Sequence, residues 1–336
     1  MHRINKILKN ICIVCGVIFI AWLVIRVFFT APLLSGISFS RAYYDRDGKL
    51  LRITLSADDK YRIYTPLDEI SPHIVTAVVL YEDKHFYHHP GINPISLVRA
   101  ARQYLSHTPH PVGASTITMQ LARIKYDLNS KSLGGKIAQI AAAIYIDLFH
   151  SKDEIIEAYL NLAPYGGNIE GVAAASTIYF GHPARDLTKI ESITLATVPQ
   201  NPTKRGLNTP NGIKTLENMR HDLVARWIAE YPSDEKLRAL AQMPLAVKKL
   251  SDIPFHAPHF TDMMNARRIK KSEIQTTLDL KLQQKLERVI ATEINARRNI
   301  GITNAAAILL NYKTMETLAY IGSADYFNRD IFGEND

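Results

Sequence analysis

The spacing of apolar residues predicts several helices between residues 72 and 230, and the pattern changes to mixed strand and helix from Glu273. Ser71-Pro72 predicts a helix start, because serine is a favoured N-cap and proline is tolerated at the first helical position. In that helix Ile74, Val78 and Glu82 recur every four residues, so the carboxylate shares a face with two aliphatic side chains. Further helices are predicted over 115–125, 136–149, 153–162 and 214–230.

In the helix over 136–149 the apolar spacing predicts a buried stripe of Ile137, Ile140, Ala141, Ile144 and Leu148. The helix after it follows Ser151, a predicted cap.

Strand patterns predict two β-regions. A hairpin is expected from Ile37–Ser40 and Leu50–Leu55, joined near Asp47-Gly48. After Glu273 the pattern predicts a strand over 274–278, a helix over 280–297, and a hairpin of 305–310 with 317–321.

Residues Ile11–Phe29 are almost wholly apolar, and roughly 19 helical residues cross most of a ~30 Å hydrocarbon layer. Arg26 is close enough to the end to reach the headgroups. The basic residues before the run predict a cytoplasmic N-terminus and an extracytoplasmic body. A cleaved signal peptide is the competing interpretation, but its apolar core would be too long. Cys12 and Cys15 lie inside this run, which favours small apolar roles over redox or metal chemistry.

The net charge of +8 suits anionic partners such as phosphates or acidic lipids. We find no arginine-rich tract or zinc-finger spacing, so nucleic acid is disfavoured. An apolar fraction of 47% is enough for a sizeable core.

Three motif-like blocks follow one another: Glu82–Phe86 with His89 and Gly91, then Gly113–Gln120, then Lys152–Asn161. Together they resemble the peptidoglycan glycosyltransferase domain of class A penicillin-binding proteins over roughly residues 40–215, and Met119 is most like the 1C-type branch. The resemblance implies a mainly α, lysozyme-like domain after one transmembrane helix, followed by a partial α+β transpeptidase start. The expected divisions are an anchor (1–30), the transferase (31–215), a linker (216–271) and the truncated transpeptidase start (272–336).

The resemblance implies that Glu82 is the general base, with Asp83, Phe86, His89 and Gly91 as scaffold. A carboxylate near an apolar face is also chemically suited to that role. The alternative is an ordinary helix glutamate paired with a neighbouring cation.

By the same resemblance, Arg123, Lys131 and Lys136 hold the leaving pyrophosphate, and lysine stands at 131 where the family usually has arginine. Thr116, Gln120 and Arg123 share one predicted helix face, so Gln120 and Arg123 can reach one ligand. The predicted substrate-binding set is Ser115, Thr116, Gln120, Arg123, Lys131, Lys136 and Gln139. Solvated helix charges are the alternative for the three cations.

One position departs from the family, because Gln139 stands where a second glutamate is usual. A neutral amide cannot act as an acid or bind a metal strongly, and Asp147 is not expected to replace it. No cofactor is therefore predicted as required, although a divalent cation, Mg²⁺ or Mn²⁺, stays open.

Two other residue patterns, one for zinc binding and one for penicillin acylation, are not favoured. The histidines of 85–89 lack the His-Glu-x-x-His order of a zinc protease. Ser233–Lys236 fits Ser-x-x-Lys by letter, but Lys-Thr-Gly is absent, so penicillin acylation and transpeptidase activity are not expected.

The expected function is inverting polymerisation of lipid II into glycan at the outer face of the bacterial inner membrane, with release of undecaprenyl pyrophosphate. Its partners would be lipid II, the growing glycan, the membrane and other cell-wall synthesis proteins. Two alternatives stay open. One is a lipid II-binding scaffold without activity, and the other is a glycan-cleaving enzyme with Glu82 as acid.

Overall fold

The computed structural model describes residues 2–28, 30–105, 115–130, 132–207, 209–267, 269 and 271–334. Within these ranges, the side chains of residues 2–12, 100, 101 and 103–105 lie outside the description.

The chain is mainly helical, as predicted. The helices are α1 His2–Phe28, α2 Pro72–Glu82, α3 Pro94–Leu105, α4 Ile117–Lys125, α5 Leu133–Phe149, α6 Lys152–Leu162, α7 Val172–Ala175, α8 Lys189–Ala196, α9 Pro210–Glu230, α10 Leu237–Ala241, α11 Pro258–Ala266 and α12 Leu280–Arg297. The strands are β1 Ala42–Tyr44, β2 Leu50–Ile53, β3 Pro164–Gly166, β4 Ile169–Glu170, β5 Glu273–Gln275, β6 Ala307–Leu310 and β7 Thr317–Ile321.

The chain divides into two compact units. The first comprises residues 1–37 and 78–162, and the second comprises 38–77 and 163–336.

In the first unit, α4 packs against both α5 and α6. Every residue from Ile117 to Ala122 is buried, although Thr118 and Gln120 are polar. Burying a polar group is costly unless it is hydrogen-bonded, so we expect the polar side chains of α4 to have hydrogen-bond partners on neighbouring elements.

The predicted buried stripe of α5 is wrong. Ile137 is 59% exposed and Leu148 is 52% exposed, whereas Gln139, Ala143 and Ile146 are buried. Because α5 is apolar around most of its circumference, periodicity alone does not select one face. The hydrogen bond of Gln139 to α4, described below, fixes the face that turns inward.

The apolar N-terminal run forms part of α1, and the indole of Trp22 donates to the carbonyl of Leu148 at 3.0 Å. Within the described part of the chain, no helix meets the length and hydropathy needed to cross a membrane. Phe29 and the side chains of Ile11 and Cys12, which belong to the predicted span, lie outside the described residues. The anchor stays a prediction.

The second unit contains a sheet in the order β2-β1-β5, with β1 antiparallel to β2 and parallel to β5. The first strand is Ala42–Tyr44, not the predicted Ile37–Ser40. Pairing on both edges explains this register, because Tyr43 lies opposite Arg52 on one side and Ile274 on the other. The predicted C-terminal hairpin is present as β6 and β7.

Residues 216–271 are predicted as a linker, but they include most of α9 together with α10 and α11. Leu216, Leu223 and Trp227 of α9 are buried, so this segment contributes to a packed core. The domain boundaries, the lysozyme-like fold and the transpeptidase start stay predictions.

Candidate active site

Glu82 is the last residue of α2, and the predicted spacing is observed because Ile74 and Val78 are fully buried while Glu82 is half-buried. The amide nitrogen of Gln120 donates to its Oε2 at 2.7 Å. The hydroxyl of Tyr159 in turn donates to the amide oxygen of Gln120 at 3.4 Å. We call Glu82, Gln120 and Tyr159 the Glu82 cluster. A neutral amide orients the carboxylate there without neutralising its charge.

Asp83 supports this cluster from the next position in the chain. Both of its oxygens lie 3.0 Å from Nε2 of His89, and the pair is buried. The backbone N–H of Ile117 also donates to Asp83 at 3.2 Å. Asp83 therefore joins the loop after α2 to the N-terminus of α4, where N–H groups need acceptors.

Gly91 and Thr116 bring the same loop close to the helices. Gly91 has a φ of +77°, and a Cβ on it would lie 2.4 Å from the carbonyl oxygen of Ala143. Thr116 caps α4 by accepting from the N–H of Met119 at 3.1 Å. Its hydroxyl donates to the carbonyl of Gly91 at 2.6 Å. Thr116, a predicted substrate-binding residue, has a structural role in these contacts.

Lys152 is a residue that sequence reasoning quoted but gave no role. Its ammonium donates to the carbonyl of His89 at 2.7 Å, forms an ion pair with Asp147, and lies 4.8 Å from the ring centroid of Phe86. Lys152 thus holds the loop after α2 against α5 and α6. Its place in the third block was the only available signal.

Lys136 is the centre of the second group of side chains. Its ammonium donates to the hydroxyl of Ser115 at 2.9 Å and to the amide oxygen of Gln139 at 3.0 Å. Burial, with the nearby positive charge of Arg123, lowers the pKa of Lys136. We call Ser115, Arg123, Lys136 and Gln139 the Lys136 cluster. Its two cations are suited to an anionic ligand.

Gln139 itself is buried, and its amide nitrogen donates to the carbonyl of Met119 at 2.7 Å. Met119 and Gln120 are consecutive residues of α4. The two clusters therefore meet at neighbouring residues of α4. The Glu82 cluster includes the side chain of Gln120, and the Lys136 cluster is hydrogen-bonded to the backbone carbonyl of Met119.

The structure thus brings together Glu82 with Gln120, and Lys136 with Ser115 and Gln139. The charge of Arg123 is near enough to lower the pKa of Lys136. Lys131 lies outside the described residues. The described residues contain no group of three or more His, Cys, Asp or Glu side chains placed to hold a metal ion. The catalytic and binding roles of these residues stay predictions.

The chain is similar in sequence to several penicillin-binding proteins. Penicillin-binding protein 1C of Escherichia coli (strain K12) is 33% identical over 88% of this chain and 38% of its own length. Penicillin-binding protein 2D of Bacillus subtilis (strain 168) is 31% identical over 85% of this chain and 43% of its own. A crystal structure of penicillin-binding protein 1A from Haemophilus influenzae matches with a TM-score of 0.35 at 20% identity, over 82% of this chain and 32% of that chain.

The chain spans less than half the length of these relatives. Residues 47–227, more than half of the chain, match the transglycosylase family. This match confirms the glycosyltransferase domain that the three sequence blocks predict, and the chain belongs to the transglycosylase family.

Proposed function

We propose that this chain polymerises lipid II into peptidoglycan glycan strands with inversion at the anomeric carbon. The observation that carries the proposal is the junction of the Glu82 and Lys136 clusters at consecutive residues of α4. One cluster presents a carboxylate and the other presents two cations. Sugar transfer from a pyrophosphate donor needs both a base and a group that stabilises the departing charge.

In the proposed reaction, Glu82 takes the proton from the 4-hydroxyl of the acceptor sugar. That oxygen attacks the anomeric carbon of the donor, and the bond from this carbon to the pyrophosphate oxygen breaks. The electron pair leaves with undecaprenyl pyrophosphate, whose charge Lys136 and Arg123 stabilise. Gln120 keeps the Glu82 carboxylate oriented during the proton transfer.

The substrate carries a lipid, so the proposal places the chain at the outer face of the inner membrane. The segment 13–28 of α1, apolar except for Arg26, supports this placement, since large side chains such as Phe28 are exposed. The growing glycan and lipid II are the proposed partners.

The alternative is a lipid II-binding scaffold without activity, and the neutral Gln139 is the observation that favours it. A scaffold would keep the Lys136 cluster and bind lipid II, but it would release no pyrophosphate. Product formation separates the two functions.

The test is polymerisation of labelled lipid II by the full chain in detergent, beside Glu82→Gln. We expect glycan from the wild type and about a 10³-fold slower rate from Glu82→Gln, the scale of a lost general base. Glu235→Gln is the matched control, because this exposed carboxylate pairs with Arg238 on its own surface segment. Equal rates for Glu82→Gln and wild type would refute the assignment of the base.

A further inference from the structure

The amide of Gln139 makes two hydrogen bonds of opposite sense. Its nitrogen donates to the carbonyl of Met119 at 2.7 Å, and its oxygen accepts from the ammonium of Lys136 at 3.0 Å. With only 1% of Gln139 exposed, water is not available to replace either partner. The orientation of this amide is therefore fixed, and with it one of the contacts that set the position of the Lys136 ammonium.

A carboxylate would not fit the same place. A charged glutamate only accepts hydrogen bonds, so one of its oxygens would face the carbonyl oxygen of Met119 with no proton between them. It would have to turn away from α4 or take up a proton, and the contact with Lys136 would change in both cases. The local structure of this chain is built around the amide.

The net charge of the Lys136 cluster also depends on whether residue 139 is glutamine or glutamate. Arg123 and Lys136 are cations, and the other two members, Ser115 and Gln139, are neutral. A glutamate would neutralise part of this positive charge and would offer oxygens to a divalent metal ion. With Gln139 the cluster lacks a carboxylate ligand, and its two cations repel a metal ion. The residues present do not fit a divalent cation at this position.

We propose that Gln139 is a positioning residue that holds Lys136 for a pyrophosphate group, and that the Lys136 cluster binds this group without a divalent cation. The inference rests on the proposed function, because it takes the leaving group of that reaction as the ligand. The amide orients one cation and leaves the charge of both available to the phosphate oxygens.

The test measures binding of inorganic pyrophosphate to the full chain by calorimetry, with EDTA and then with excess Mg²⁺. Wild type, Gln139→Glu and Gln139→Met are compared, after thermal unfolding has shown that each is folded. Mg²⁺ also complexes free pyrophosphate, but that effect is common to all three proteins and cancels in the comparison.

We expect wild type to bind in EDTA and Gln139→Glu to bind about tenfold more weakly, with recovery in Mg²⁺ that wild type does not show. Gln139→Met, which is neutral but lacks both hydrogen bonds, should bind more weakly without any Mg²⁺ response. A residue that merely stabilised the fold would not produce this metal response. Equal binding by wild type and Gln139→Glu in EDTA, or a wild type that needs Mg²⁺, would overturn the inference.

Polymerisation of lipid II by the wild type, run in parallel, separates this inference from the proposed function. If polymer forms only with Mg²⁺, the proposed function stands and the inference fails. If pyrophosphate binds in EDTA but the chain makes no polymer under either condition, the inference about the anion site stands and the proposed function fails.

Discussion

The Glu82 cluster and the Lys136 cluster are built in the same way around charges of opposite sign. Gln120 donates to the carboxylate of Glu82, and Gln139 accepts from the ammonium of Lys136. In both clusters a neutral amide fixes a charged group without cancelling its charge. A counter-ion would also fix the group, but it would make the base weaker or the cation less attractive to phosphate. We infer that the amide of Gln139 leaves the charge of Lys136 available to a ligand.

The two clusters differ in the residues that support them. The Glu82 cluster is backed by the buried Asp83–His89 pair and by Gly91, whereas the Lys136 cluster depends on Ser115 and one carbonyl of α4. We therefore expect changes behind Glu82 to affect stability, and changes at Lys136 to affect ligand binding.

The largest expected effect beyond loss of the base is from Gly91→Ala. Its methyl group would collide with the carbonyl of Ala143, and its positive φ is unfavourable for alanine, so we expect a loss of about 3 kcal/mol in the free energy of unfolding. Denaturant titration measures it. Gly134→Ala is the matched control, because Gly134 is an exposed residue of α5 with open space at its Cβ position. It should be neutral or up to about 1 kcal/mol stabilising. Equal stability of the two variants would contradict the close packing at Gly91.

A smaller effect is expected from Lys136→Met, which keeps the length of the side chain but removes its charge. Pyrophosphate binding should weaken by about 2 kcal/mol, or roughly 30-fold, as expected for a hydrogen bond to a charged group. The denaturant midpoint should change little, and calorimetry beside denaturant titration checks both. A large loss of stability with unchanged binding would reverse the division of roles between the clusters.

The smallest effect is a pH dependence of pyrophosphate binding. Burial and the charge of Arg123 lower the pKa of Lys136, so the unliganded ammonium loses its proton at a lower pH than an ordinary lysine. Affinity should therefore fall as the pH rises through this lowered pKa. Lys136→Arg keeps its charge at alkaline pH. Its alkaline loss of affinity should be smaller than that of wild type, and identical pH profiles would show that another group is responsible.

Local patterns of the sequence predicted several elements well. The helix from Leu280 to Arg297 matches the prediction at both ends, because an amphipathic pattern is a local feature of the sequence. The start of α2 at Pro72 and the position of Glu82 beside its buried aliphatic residues were also predictable from spacing.

Contacts between distant residues were not predictable from the chain alone. The inward face of α5 depends on the hydrogen bond from Gln139 to Met119, twenty residues away, and the apolar pattern favoured the opposite face. The role of Lys152 likewise depends on a backbone carbonyl at His89, which carries no sequence signal.

The most direct test of the account measures lipid II binding and lipid II polymerisation separately for wild type, Glu82→Gln and Lys136→Met. The account predicts that Glu82→Gln binds lipid II like the wild type but makes almost no glycan, and that Lys136→Met loses affinity for lipid II. Normal polymerisation by Glu82→Gln, or loss of its lipid II binding together with its activity, would contradict the assignment of the base to Glu82.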